Sequence, residues 1–212
     1  MNEKIHVLIA DDHAIVRQGL LQILSETEDL IVAGEADDGA EALQLARNQQ
    51  WDVFLLDVAM PNRNGIDTLK QLKKEFPRLP VLMLSMHPED QYAVRAIQAG
   101  AAGYLTKQSA PSELVAAIRK VAGGDKYISP TLASKLAELI AGGNRPGLEK
   151  LSDREHEVLR LIASGKTLTQ VAEELNISVA TVSTYRARLL EKLSLGNTAE
   201  LIRYGLEHGL VE

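Results

Sequence analysis

The run Val53-Phe54-Leu55-Leu56-Asp57 decides how this chain is read. Its apolar residues fill both alternating faces of an extended strand, as in a strand covered on each side, and the run stops at a single carboxylate. Val81-Leu82-Met83-Leu84-Ser85 repeats the pattern and stops at a hydroxyl. Outward from these two runs, β-type segments at 5–10, 31–36, 53–57, 81–85 and 103–106 alternate with amphipathic helical patterns at 14–25, 39–48, 64–75, 89–99 and 111–123. The alternation predicts an α/β domain over residues 1–123, a doubly wound five-stranded parallel sheet with crossover helices.

Past Gly123-Gly124 the pattern changes. Ser129-Pro130 opens a short helix through about Ala141, and Gly142-Gly143-Asn144-Arg145-Pro146-Gly147 has linker composition, so 124–147 is expected to be a linker with a short helix. Helical patterns at 153–164, 168–175, 179–193 and 198–208 follow without a β-type run, which predicts a second, smaller all-α four-helix domain over 148–212. The composition of the 212 residues, 45% apolar and 25% charged, is that of a globular protein and excludes a low-complexity or disordered chain. No stretch reaches the roughly 18 apolar residues of a membrane helix, so no membrane partner is expected. The absence of cysteine removes disulfides, thiolate zinc sites and cysteine nucleophiles, and points to the cytoplasm. The net charge of −6 divides as −5 over 1–123, +1 over 124–147 and −2 over 148–212, so basic character has to be sought locally.

Functional groups of an open parallel sheet gather at the carboxyl ends of its strands. Here those ends carry Asp11-Asp12, Asp57, Ser85 and Thr106-Lys107. Three crowded carboxylates need a cation, and hard oxygen donors suit Mg²⁺. Beside such a metal, an aspartate can attack phosphorus in line while a lysine neutralises the phosphoryl charge, leaving an aspartyl phosphate. Taken singly, Asp11 or Asp12 would cap the following helix, Asp57 would be a turn residue and Lys107 a surface charge. Capping alone does not place a carboxylate, a hydroxyl and a lysine at three further strand ends. His13 is left without a role, and Arg17, one turn on, reads as a solvated face.

Asp11-Asp12-His13, Asp57 followed by Met60-Pro61 and Gly65, Ser85, and Tyr104 three residues before Lys107 together resemble a two-component receiver domain, a flavodoxin-like fold. The resemblance implies Asp57 as phosphoacceptor and Mg²⁺ held by Asp12, Asp57 and the Ala59 backbone carbonyl, with Asp11 acting through water. It further implies that Lys107 contacts the phosphoryl group, that Ser85 turns toward the new phosphate, and that Tyr104 swings into the space it leaves. Gln108 stands where many relatives have proline.

In the tail, residues 168–175, the turn Asn176-Ile177-Ser178 and the helix to Leu193 have the lengths of a helix-turn-helix unit. Val182, Leu189, Leu190 and Leu193 share an apolar face, leaving Thr181, Ser183, Thr184, Arg186, Arg188 and Lys192 as candidate contacts to double-stranded DNA. With Leu151-Ser152-Asp153-Arg154-Glu155, Val158-Leu159, Gly165 and Val171-Ala172, the tail resembles the LuxR-type DNA-binding domain. A receiver joined to this tail is similar to the NarL/FixJ class of response regulators. Lysine and histidine stand in many class members where this chain has Ser183 and Tyr185.

The resemblance implies a transcription regulator that is no enzyme beyond slow loss of its own phosphate. A sensor histidine kinase would phosphorylate it, it would form a homodimer when active, and RNA polymerase would be a further partner. Two other readings stay open: a signalling adaptor whose tail binds protein, and DNA binding independent of phosphorylation. A Walker A loop is excluded, because its first glycine would fall at Arg160; Asp57-Val58-Ala59 also lacks the second aspartate of haloacid-dehalogenase-type phosphohydrolases.

Overall fold

The computed structural model describes residues 4–60, 64–86, 89–140 and 151–211. It divides into two compact units, Met1–Ala141 and Gly142–Glu212. The first unit alternates strands β1 (Ile5–Ala10), β2 (Leu30–Ala36), β3 (Val53–Asp57), β4 (Val81–Ser85) and β5 (Gly103–Thr106) with helices α1 (Ala14–Ser25), α2 (Gly39–Asn48), α3 (Gly65–Glu75), α4 (Glu89–Gln98) and α5 (Pro111–Ala122). Helix α6 (Pro130–Ile140) completes it. The sheet is parallel in the order β2-β1-β3-β4-β5. Every residue of β3 and β4 is buried, because helices pack on both faces. One face covers Leu8, Phe54, Leu56 and Met83 with α2, α3 and α4 residues, and the other covers Val7, Ile9, Leu55 and Leu82 with α1 and α5 residues.

This order reverses direction between β1 and β3, which makes the gap beyond their carboxyl ends the switch point of the sheet. Ala10 pairs with Leu56 across that gap, so Asp11-Asp12 and Asp57 leave the sheet side by side. The chain past Asp57 turns back tightly: Gly65 N–H donates to Val58 O at 2.9 Å, and a Cβ on Gly65 would stand 1.9 Å from Asp57 O. Only glycine fits there, and Asn64 caps α3 by accepting from Ile66 N–H at 2.8 Å.

The segment expected to be a linker with a short helix belongs, through Ile140, to the first unit. Tyr127 adds a parallel bridge to Gly103, its N–H donating to Ala102 O at 2.8 Å and its hydroxyl to Glu113 at 2.8 Å. Leu132 is fully buried, and Ile128 and Leu136 pack on the same cluster as Tyr92, Ala93 and Ala96 of α4. A helical pattern read alone does not reveal which surface its apolar side meets. The Gly-rich stretch 142–147 lies outside the described residues.

The second unit comprises α7 (Asp153–Ala163), α8 (Leu168–Glu174), α9 (Val179–Leu193) and α10 (Thr198–Glu207) around Val158, Leu161, Ile162, Val171, Val182, Leu189 and Leu201. Asn176, at φ 50°, makes the sharp turn between α8 and α9, and Ser178 caps α9 by accepting from Thr181 N–H at 3.1 Å. Leu132→Ala is expected to destabilise the first unit by about 2–5 kcal/mol in urea unfolding. An unchanged midpoint would mean that α6 contributes nothing to that core.

Candidate functional site

Asp11, Asp57 and Ser85 are all essentially inaccessible at the strand ends. Lys107 follows β5, its N–H donating to Ser85 O at 2.7 Å, and this directs its side chain back across the sheet edge. Its Nζ stands 2.7 Å from Asp11 Oδ2 and 2.8 Å from Asp57 Oδ2, one ammonium between two carboxylates. Burial opposes the Lys107 charge, but the facing Asp57 and Asp11 outweigh it and hold the ammonium above its ordinary pKa. Burial also pushes the Asp57 carboxyl up to about 6 against the pull of Lys107, and the charge of Asp11 adds to the rise.

Asp12 is part-exposed, and Ala59 is exposed beyond Asp57, donating its N–H to Asp57 Oδ1 at 3.2 Å. The N-cap of α1 is His13, with no side-chain cap, so helix capping does not account for Asp12. His13 N–H donates to Asp11 Oδ1 at 2.9 Å, and its Nδ1 lies 2.8 Å from Asp12 Oδ1. One ligand atom from each of Asp11, Asp12, His13 and Asp57 falls within 4.8 Å of all the others. Among the buried oxygens, Asp11 Oδ2 and Asp57 Oδ2 face the Lys107 ammonium and Asp12 Oδ1 faces His13 Nδ1, with no further hydrogen bond to them among the described residues. Hard acceptors with spare lone pairs at this spacing fit a divalent cation of the Mg²⁺ type. Tyr104 is fully buried on β5. At Gln108 the turn keeps only trans peptides and closes through Ser109 N–H to Thr106 O at 3.0 Å.

Arg17 departs from the solvated face expected of it. Its guanidinium donates to Asp11 O at 2.5 Å and approaches Glu35 of β2 at 3.5 Å. Its place at the end of the first turn of α1 was legible, but its acceptor is a backbone carbonyl, which no residue pattern marks.

On α9, Thr184 and Arg188 are exposed, and together with Ala180, Thr181 and Tyr185 they line one surface hollow. Thr181 and Ser183 are part-buried, and the Thr181 hydroxyl is 2.7 Å from that of Ser178 in the cap. Arg186 reaches α10, where Nη1 donates to Thr198 at 3.3 Å. Lys192, expected among the DNA contacts, donates instead to Glu155 at 2.6 Å. Glu155 is buried within the α7 capping box and also accepts from Ser152 N–H and Oγ. Burial opposes its charge, yet Lys192 and Ser152 hold its carboxyl below the usual range. A buried carboxylate on another helix is thus the stronger attraction for a lysine that the helical wheel leaves at the surface.

Residues 7–119 match the response regulator receiver domain family, and 149–205 match the bacterial regulatory proteins of the luxR family. The chain therefore belongs to the two-component response regulators, in the NarL/FixJ class, and is a DNA-binding regulator of transcription, not a classical enzyme. Response regulator GacA of Pseudomonas aeruginosa is 39% identical over 210 residues, covering 98% of each chain. Response regulator UvrY of Escherichia coli K12 is 35% identical over 208 residues, covering 97% of this chain and 95% of UvrY. Among solved structures, RcsB from Salmonella enterica serovar Typhimurium, bound to promoter rprA in the presence of the phosphomimetic BeF3−, has 30% identity and a TM-score of 0.62. That likeness covers 95% of this chain and 98% of the RcsB chain. Among the described residues no helix is long and apolar enough to cross a membrane.

A carboxyl whose pKa rises from 3.8 to about 6 on folding is favoured uncharged, so its charge costs stability above pH 6 and the cost vanishes as pH falls toward 4. In Mg²⁺-free buffer at pH 7.5, Asp57→Asn should therefore raise the thermal midpoint of the first unit, by a free energy on the order of 3 kcal/mol or less. Scanning calorimetry should show the gain shrinking below pH 6. A destabilised variant at pH 7.5 would refute the electrostatic account. Lys192→Ala should lower the midpoint of the second unit by leaving Glu155 buried without its cation; an unchanged midpoint together with weakened DNA binding would return Lys192 to the DNA-facing set.

Proposed function

We propose that Asp57 accepts a phosphoryl group from a partner sensor histidine kinase and that this modification switches sequence-specific binding of double-stranded DNA by α9. The observation carrying the proposal is Lys107 Nζ between Asp57 and Asp11 at the switch point of the sheet. Bound through Asp12, Asp57 and the Ala59 carbonyl, with Asp11 acting through water, Mg²⁺ would neutralise charge on the phosphoryl oxygens. An Asp57 oxygen forms the new O–P bond as the N–P bond to the donor's histidine breaks, and the imidazole leaves with a proton from solvent. Lys107 then exchanges its contact with the Asp57 carboxylate for one with the phosphoryl oxygens. Ser85 ends β4 at the same sheet edge as Asp57, its carbonyl holding the Lys107 backbone, and its hydroxyl would turn to the arriving phosphoryl group. That turn of Ser85, coupled to Tyr104, would pass the change to β5 and α4. Water reversing the linkage slowly gives the protein its own off-rate.

On the DNA side, Thr184 and Arg188 take the leading contacts, with Thr181, Ser183 and Arg186 supporting them; the ion pair to Glu155 leaves Lys192 the smallest part. The Ser178-capped N-terminus of α9 presents backbone N–H groups suited to phosphate. The active form would be a homodimer reading two half-sites in the cytoplasm, with RNA polymerase as a downstream partner.

Acetyl phosphate with Mg²⁺ should raise affinity for a DNA site selected from random sequence in wild type and not in Asp57→Asn. Equal affinity in all samples would detach DNA binding from phosphorylation. Arg188→Ala should weaken binding and reduce the slope of log affinity against log salt by about one. If no DNA is selected at all, the tail binds a protein instead.

A further inference from the structure

We infer that Arg17 is a positioning residue for the cation site, acting on Asp12 through the backbone of Asp11. The inference rests on the proposed phosphoacceptor site and deepens it. Three of the four polar groups of Asp11 have partners inside the sheet edge: its N–H donates to Ala36 O at 3.1 Å, Oδ1 accepts from His13 N–H at 2.9 Å, and Oδ2 faces Lys107 at 2.7 Å. The fourth, the carbonyl, accepts from Arg17 Nη1 at 2.5 Å. A peptide unit is planar, so fixing the direction of the Asp11 carbonyl also fixes where the next Cα, that of Asp12, leaves the strand end.

Asp12 depends on this constraint more than its neighbours do. Its side chain is 26% exposed, against 0% for Asp11 and 1% for Asp57, and Asp12 lies in a turn outside the ladder hydrogen bonds of β1. Its carboxylate has the exposed His13 ring beside it, at 2.8 Å. Arg17 itself is well held, being 19% exposed, and it lies two residues into the hydrogen-bonded part of α1 with its own N–H on His13 O at 3.1 Å. Glu35, which pairs in register with Ile9 on the neighbouring strand, approaches its Nε at 3.5 Å. The guanidinium thus spans β2 and the turn after β1, and it transmits the rigidity of the sheet to a carboxylate donor that the sheet does not hold directly. A planar fork with several donors suits two acceptors in different directions, which a lysine cannot satisfy together.

Wild type, Arg17→Ala and Arg17→Lys, as full chains, should be compared by Mg²⁺ titration calorimetry and by the initial rate of Asp57 phosphorylation from acetyl phosphate against Mg²⁺ concentration. Outer residues that orient metal ligands commonly change affinity 10–100-fold, so Arg17→Ala should raise the half-saturating Mg²⁺ concentration by about tenfold. The rate at saturating Mg²⁺ should stay within about twofold, since the reacting groups remain, and Arg17→Lys should fall between. Glu35→Ala, which frees one side of the guanidinium, should shift half-saturation in the same direction and stands in if Arg17→Ala fails to fold. A purely structural role would lower the Mg²⁺-free melting temperature without moving half-saturation, and that result overturns the inference. A lowered maximal rate at unchanged half-saturation overturns it as well. If wild type neither binds Mg²⁺ nor becomes phosphorylated, the site proposal itself falls and this inference with it.

Discussion

The Lys107 ammonium holds two carboxylates at one buried edge, 2.7 Å from Asp11 and 2.8 Å from Asp57, and the rest of the first unit is arranged so that these charges meet. The parallel order β2-β1-β3-β4-β5 brings Asp11 and Asp57 out of adjacent strands. The Lys107 N–H on Ser85 O turns the lysine toward them. Burial strengthens each interaction and raises its cost, which is why the Asp57 carboxyl is pushed up to about 6 while Lys107 stays charged. A second cation bound here would relieve this imbalance, and a phosphoryl group on the proposed acceptor would bring new negative charge for Lys107 to meet. On the proposed reading, neutralising excess charge on Asp57 and accepting a phosphoryl group there would be two uses of one electrostatic arrangement.

Much of this was legible in the chain because the signals are local and periodic. Runs such as 53–57 and 81–85 can be buried only as central strands, and the residue that ends each run is carried to the edge by the strand itself. What the pattern hid are the contacts made between elements. Arg17 and Lys192 both read as surface cations by helical spacing, and each has a partner that is distant or unmarked: the Asp11 carbonyl for one, Glu155 on another helix for the other. The stretch after α5 had the punctuation of a linker, yet Tyr127 and Leu132 tie it to β5 and to the α4 side of the core. Gly65 carries a constraint that only the fold exposes, the 1.9 Å approach that any Cβ would make to Asp57 O.

The same contacts show how a change at Asp57 can be felt elsewhere in the first unit. Ser85 pairs with Thr106, Met83 pairs with Tyr104, and the face of β4 and β5 that holds Tyr104 packs in one cluster with Tyr92, Ala96, Leu132 and Leu136. A shift of Ser85 or Tyr104 therefore meets α4 and α6 through tightly packed side chains, and close-packed interiors transmit strain. In the second unit, α9 divides its polar residues between structure and surface. Lys192 and Arg186 secure it to α7 and α10, and Thr184 and Arg188 face outward. Fixing the helix internally keeps its exposed side chains in one geometry, as recognition of a regular duplex requires.

The most direct measurement is chemical location of the phosphoryl group. The protein is treated with acetyl phosphate in the presence or absence of Mg²⁺, reduced with borohydride to convert an acyl phosphate to an alcohol, and mapped by peptide mass spectrometry. The account predicts homoserine at position 57 alone and only with Mg²⁺. Reduction at another carboxylate, or equal labelling without the metal, would contradict it.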